Sequence, residues 1–255
     1  MILGSLSVRT FAKRPDLGEP LLTKLSSRTQ GILKESPDSA RTKRARAIFD
    51  AARKARWFGP VVTALRSLCG QGELCMYCSS NEPSQVEHYR PLALYPELAF
   101  EYENYLWSCD ICNRNKGDKF PPDNHSGERI LNPLDDDVWQ YFFIDEEFGR
   151  LIKRVDPATR RAAPRAVSTC DVVGIDRGDV QIKRSRRYAR LRRDAVRCSD
   201  ELKAGSLTIG DLQKEIADWR SDPFQADVAD YFLNGPGRAK EPFRTLLLAA
   251  GEIVP

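Results

Sequence analysis

Two Cys-x-x-Cys pairs, Cys75 with Cys78 and Cys109 with Cys112, stand at the ends of a segment long enough for a β-hairpin. In such a pair a tight turn brings both sulfurs to one side. Two pairs together supply the closed four-thiolate set that structural zinc prefers, leaving no open position for chemistry. Unrelated core or redox cysteines are the bland alternative, and two correctly spaced pairs in one short window weigh against it. A disulfide framework would need an oxidising compartment. The start, MILGSLSVRT, lacks the long apolar run of a secretory signal. Between the pairs sits the dipeptide Glu87-His88, and Asn113 directly follows the second pair. A carboxylate suited to a hard metal thus stands beside an imidazole. The ordinary imidazole pKa of about 6.5 suits a general base at neutral pH. A zinc held by Cys112 would also fix where the Asn113 side chain points. Four cysteines alone describe a binding module. The added acid, imidazole and amide argue for a reaction.

The stretches CMYC, VEHYRP and ENYLWSCDICNRNKGDKF resemble the HNH endonucleases, whose core is the ββα-metal fold. The variant with Asn right after the second cysteine pair is most similar to junction-resolving phage endonucleases and to many bacterial defence nucleases. The run EHYRP, NYLWSCDICNRNKGDKFPP and ILNPLDDD is similar to the HNH subunits of two-gene antiviral systems of the Septu type. These motifs lie within residues 75–137, and the flanks match weakly. The resemblance implies an α+β chain with a zinc-stapled ββα-metal core embedded in a mostly helical chain. It implies phosphodiester hydrolysis leaving 5′-phosphate and 3′-hydroxyl ends. His88 would take a proton from water, and Glu87 and Asn113 would hold one divalent ion at the scissile phosphate. Asn104 would brace the loop that carries His88. Arg90 and Lys116 are candidate phosphate clamps, with plain surface solvation the alternative for each. Two departures matter: Glu87 stands where many HNH enzymes have Asp, and Asn113 where many have His. Both offer oxygen, which favours Mg²⁺ or Mn²⁺ over a catalytic transition metal. DNA is the favoured substrate and RNA remains open, because a site that reads only backbone geometry does not choose the sugar. The reading from another class is a non-catalytic zinc-stapled module that grips nucleic acid or a partner. The Septu resemblance also implies a separate ATPase subunit. The chain has no Gly-rich phosphate-binding loop of its own.

The elements that must position these groups follow from local pattern. Residues 86–89 should form the first strand, with His88 near its end, and residues 105–108 the second. The helix should open at Asp110, whose charge suits a helix N-terminus, and run to Lys116, with Gly117 stopping it. A hydrophobic fraction of 41% over 255 residues suffices for a core. The expected parts are an arm and basic helix over 1–58, a nuclease core over 59–137 and a mainly helical region over 138–255. A net charge of +4 is modest, so what matters is where the basic residues lie. Before residue 39 the chain reads as an extended arm broken by Pro15 and Pro20. A helix over 39–57, with Ser39 as a possible N-cap, sets Ile48, Ala51, Ala52 and Ala55 inward and carries a run of Arg and Lys. A second basic helix should start after about residue 176 and end at Gly205, with Tyr188 (or Ala189), Leu191, Ala195, Leu202 and Ile182 inward. Its Arg186, Arg187 and Arg190 are candidate phosphate contacts, against the alternative of a solvated face.

VWQYFFI and GRLIKRV read as a strand pair, and Thr208 or Asp211 as the cap of a later helix. The triplet Asp135, Asp136 and Asp137 suits a capped helix start better than a metal cluster. His125, in a loop with Asp123, is a weak ligand candidate. Cys69, Cys170 and Cys198 read as buried thiols. The aromatic tail, with Trp219, Phe224, Tyr231, Phe232 and Phe243, either closes the core or docks the partner. The arm before residue 39 is the other candidate docking surface. No apolar run reaches membrane-spanning length, so no membrane partner and a cytoplasmic location are expected.

Overall fold

Short apolar runs alternate with longer helical patterns along the chain, and the computed structural model follows them. It describes residues 14–69, 72–82, 84–123, 127–128, 130–222 and 225–254. The architecture is α+β: mostly helix, with three two-stranded antiparallel ribbons among the described residues. The chain divides into two compact units, one over residues 11–132 and one built on residues 133–255. His125 lies outside the described residues.

The first unit opens with α1 (Glu19–Leu33), not with an extended arm. Pro20 sits in the first turn of α1, where the missing N–H would have no helical partner, so it starts the helix instead of breaking it. Leu25 and Ile32 are buried on its inner face. Helix α2 (Asp38–Ala52) begins one residue before Ser39 and ends before Trp57. Its buried stripe is Ala45, Phe49 and Ala52, so the helix is turned from the expected face. The large ring of Phe49 decides this, reaching Phe58, His88, Phe100 and Tyr105. Helix α3 (Gly59–Leu68) again carries a proline in its first turn and buries Val61, Ala64, Leu65 and Leu68 at helical spacing.

Strands β1 (Ser84–His88) and β2 (Tyr105–Cys109) form the antiparallel hairpin, with Glu87 opposite Leu106 and His88 opposite Tyr105. All five β2 residues are buried. That suits a strand covered on both faces, here with α3 and α4 among its neighbours. Helix α4 (Asp110–Lys116) follows without a loop, and Gly117, at φ +47°, ends it. A minimal ribbon, β3 (Pro122–Asp123) with β4 (Gly127–Glu128), comes after.

In the second unit, β5 (Phe142–Ile144) and β6 (Leu151–Lys153) form the expected strand pair. The turn between them is organised by Asp145, whose carboxylate accepts from the backbone of Phe148 and Arg150. Gly149 adopts φ +66°, and a Cβ there would lie 2.3 Å from Tyr188 Cβ. Only glycine meets both demands. Next comes α5 (Pro164–Val173), a third helix begun by proline. Then come α6 (Gly178–Lys203), α7 (Ile209–Ser221), the short α8 (Ala226–Ala229) and α9 (Phe243–Ala249). Thr208 caps α7, its hydroxyl accepting from the Asp211 backbone N–H at 3.1 Å. Tyr188, Leu191 and Ala195 of α6 face inward as expected, but Ile182 is exposed. Trp219, Tyr231, Phe232 and Phe243 are buried, with Phe232 stacked between Tyr188 and Phe243. These rings fill the core, so they are not a docking surface. Phe224 lies outside the described residues. No helix among the described residues is long and apolar enough to cross a membrane.

Candidate metal centre and adjoining pocket

The four cysteine sulfurs of Cys75, Cys78, Cys109 and Cys112 lie within 4.8 Å of one another, and all four residues are buried. A tetrahedral site with metal–sulfur bonds of ~2.3 Å has sulfur–sulfur edges of ~3.8 Å. Cys78 Sγ and Cys109 Sγ are 3.8 Å apart. Local structure builds the two sulfur pairs. Cys75 N–H donates to the Ser80 carbonyl and Ser79 N–H to that of Cys75, closing the first turn, in which Ser79 takes φ +57°. Met76 N–H donates to Trp107 O, hooking that turn onto β2. Cys109 is the N-cap of α4, and its sulfur accepts from Cys112 N–H at 3.4 Å. Burial pushes the Cys75 thiol well above its usual range, while neighbouring thiols, Cys109 first, pull Cys78 far below it. Cys112 draws Cys109 down to about 6. Protons are thus shared unevenly over one dry cluster, and four thiolates there require a cation. The donor set, its spacing and its burial fit zinc.

Beside this cluster is a pocket of about 270 Å³, and Glu87, His88 and Asn113 all line it, together with Asp50, Arg53, Gln85 and Asp118. The hairpin and α4 bring the first three together. Glu87 and His88 end β1, and Asn113 sits one residue past a cluster cysteine. His88 is buried, 8% exposed, with Nε2 3.0 Å from the Ala99 carbonyl oxygen. A carbonyl can only accept, so Nε2 carries the proton and Nδ1 keeps its lone pair. Phe49 and Tyr105 meet the imidazole edge-on, at centroid distances of 4.4 and 5.2 Å. Burial lowers the His88 pKa to about 4, with the nearby Lys116 charge acting in the same direction and the Ala99 bond against it. The ring is neutral at pH 7.

Asn104 does not line the pocket. Its Oδ1 accepts from Arg90 N–H at 2.8 Å, and its Nδ2 donates to the carbonyls of Arg90 and Leu98 at 3.0 and 3.3 Å. It therefore ties together both ends of the loop over residues 90–98, just past His88.

Lys116 is neither a surface residue nor a phosphate clamp in this structure. It is wholly buried, and its Nζ donates to Glu87 Oε1 at 2.6 Å and to the His88 carbonyl at 2.8 Å. Burial raises the Glu87 pKa, and Lys116 opposes that rise. Arg90 is exposed, its guanidinium 5.9 Å from the Tyr95 ring centroid. Of the α6 arginines, Arg187 pairs with buried Asp227 at 2.9 Å and is spoken for by the core. Arg190 is exposed and 3.7 Å from Asp222, and Arg186 is exposed. Arg41, Arg44 and Arg46 on α2, and Arg53 just past its end, each have an acidic partner, so the helix is less bare than its sequence suggests. The groups missed from sequence are Phe49 and the Ala99 carbonyl. The spacing of Ala45, Phe49 and Ala52 could have placed α2 correctly. Nothing local marks Ala99.

The chain matches no family model, and no curated protein is similar to it.

Proposed function

We propose that the chain is a metal-dependent endonuclease of the HNH kind, acting on nucleic-acid phosphodiesters, with DNA favoured as substrate. The observation that carries this reading is the shared pocket of Glu87, His88 and Asn113 beside a four-cysteine cluster. Hydrolysis needs an activated water, neutralisation of charge at phosphate and help for the leaving oxygen. His88 is held for the first task. Its proton sits on Nε2 against Ala99, which leaves Nδ1 to accept a proton from water. The low pKa keeps that lone pair free at neutral pH, at some cost in basicity. Phe49 and Tyr105 fix the ring plane, and Asn104 holds the following loop. Glu87 and Asn113, both lining the pocket, offer a carboxylate and an amide oxygen, donor types that suit a hard divalent ion. When bound, Mg²⁺ or Mn²⁺ supplies Lewis-acid charge at the phosphate and the departing oxygen. The cysteine cluster, as a closed zinc site, holds the hairpin to α4 and so sets the distance between Glu87 and Asn113.

The Septu-like motifs support a defence role in which a separate ATPase subunit restrains the nuclease. Co-purification with the neighbouring gene product tests that part. The activity is tested by incubating supercoiled plasmid, single-stranded DNA and total RNA with the zinc-loaded protein, with and without Mg²⁺ or Mn²⁺. Ion-dependent nicking is expected, lost in His88→Ala with zinc content unchanged. Tight binding with no cleavage of any substrate would favour the zinc-stapled binding module instead.

A further inference from the structure

A lysine with no exposed surface needs a fixed counter-charge, since an unpaired buried ammonium is not tolerated. Lys116 has one in Glu87, at 2.6 Å, and a second acceptor in the His88 carbonyl. The carboxylate it holds belongs to a residue that also lines the pocket shared by His88 and Asn113. Glu87 is only 6% exposed, so little water is present to screen a second charge brought to it. An ammonium and a divalent ion therefore compete there. Both seek the same anion, and each repels the other.

We propose that Lys116 is an internal cation that competes with the divalent ion for Glu87, and so sets how tightly the pocket takes metal. This rests on the part of the nuclease reading that gives Glu87 to a divalent ion. In the absence of that ion, the pair keeps the Glu87 carboxylate neutralised and in place. Metal binding opens the pair. Lys116 is the last residue of α4 and precedes Gly117 at positive φ, so its flexible stem lies at a helix end instead of mid-helix. Because the same Nζ also holds the His88 carbonyl, opening the pair changes the hold on the residue that carries the base. Lys116 is thus a positioning residue that acts through Glu87.

The test measures metal binding directly. Mn²⁺ is titrated into zinc-loaded wild type, Lys116→Met, Lys116→Gln and Glu87→Gln, with free Mn²⁺ counted by electron paramagnetic resonance. Removing the competing charge should tighten Mn²⁺ binding by at least about tenfold in both Lys116 variants. Lys116→Gln keeps a hydrogen-bond donor for Glu87 while losing the charge, so it carries the comparison if the Met variant folds poorly. Glu87→Gln should lose the site. Mn²⁺ should also raise the melting temperature more in the Lys116 variants than in wild type. In the wild type itself, the slowly exchanging ¹⁵N ammonium signal of buried Lys116 should collapse as Mg²⁺ binds. Unchanged or weaker Mn²⁺ affinity in the variants, a Lys116 signal indifferent to Mg²⁺, or no divalent binding at all would each overturn the proposal. None of these readouts needs cleavage. A chain that exchanges Lys116 for Mg²⁺ and cuts nothing loses the nuclease reading alone, while a nuclease whose Lys116 variants bind Mn²⁺ as wild type loses this proposal alone.

Discussion

Lys116 and Arg184 are both basic side chains taken out of water, one in each unit, and each meets a buried carboxylate. Their settings differ. In the helical unit Asp227 is gripped on both oxygens: Arg184 Nε donates to Oδ2 at 2.7 Å and Arg187 Nη1 to Oδ1 at 2.9 Å. Arg184 also donates to Gln181 at 2.9 Å, and Gln181 in turn exchanges hydrogen bonds with the backbone of Leu151. Planar guanidinium forks hold such a network in one geometry, and it ties α6 to α8 and to β6. In the cysteine unit Glu87 has one flexible ammonium, at the wall of a pocket that also holds His88. The first arrangement is a brace. The second is built from a cation that a stronger one can replace. A buried ion pair is weak evidence of stability by itself, and what surrounds it shows which kind it is.

The largest test separates the units. Cys75→Ser or Cys112→Ser should remove zinc and unfold the hairpin region, because structural zinc contributes roughly 10 kcal/mol or more to folding in small sites. Hydrogen exchange should show residues 74–116 unprotected while α6 and α7 keep their protection. Elemental analysis that finds no zinc in folded wild type would end the four-cysteine assignment. Next, Asp227→Ala should cost about 3–5 kcal/mol by leaving two arginines without their anion. Urea unfolding with and without Mn²⁺ checks it. No rescue by Mn²⁺ is expected here, whereas Lys116→Met should be rescued, and equal behaviour of the two variants would erase the contrast.

The third test uses pH. The His88 pKa is held at about 4, below its ordinary 6.5, so the unfolded chain binds the extra proton first as pH falls. The neutral ring's contribution is complete above pH 6.5 and is lost on going down to pH 4, up to roughly 3 kcal/mol. Stability of wild type minus that of His88→Asn, measured by urea midpoints across this window, should shrink accordingly. Acid release of zinc affects both proteins and cancels in the difference. A flat difference would mean that the ring is not held neutral by burial. The smallest effect belongs to a helix cap: Thr208→Ala should lose the α7 cap and about 1 kcal/mol, seen as a lower melting temperature with Mn²⁺ binding unchanged.

Much of the candidate site was legible because its signals are local. Cys-x-x-Cys spacing announces a pair of sulfurs on one side of a turn, and Asp110 and Gly117 bracket α4 through helix-end chemistry alone. The β5–β6 hairpin and the Thr208 cap were legible for the same reason. The helix that begins at Pro20, in a stretch read as extended chain, shows the limit of reading proline as a breaker. In the first turn it is an initiator, and which role it takes depends on whether the following residues find a core.

The sequence by itself determined the chemistry available: four thiols in two spaced pairs, an acid beside an imidazole, an amide after the last cysteine, and a +4 net charge spread over basic stretches. Residue types and short-range spacing are enough for that. Which of those groups meet was decided only by the tertiary structure. Lys116 is 29 residues from Glu87 and finds it across the hairpin, and Arg187 is 40 residues from Asp227. A charged side chain carries no mark in sequence of whether it will be solvated or buried against a partner, because that depends on the low-dielectric space the whole fold encloses. The Ala99 carbonyl that sets the His88 tautomer is a backbone atom, and no residue type encodes it.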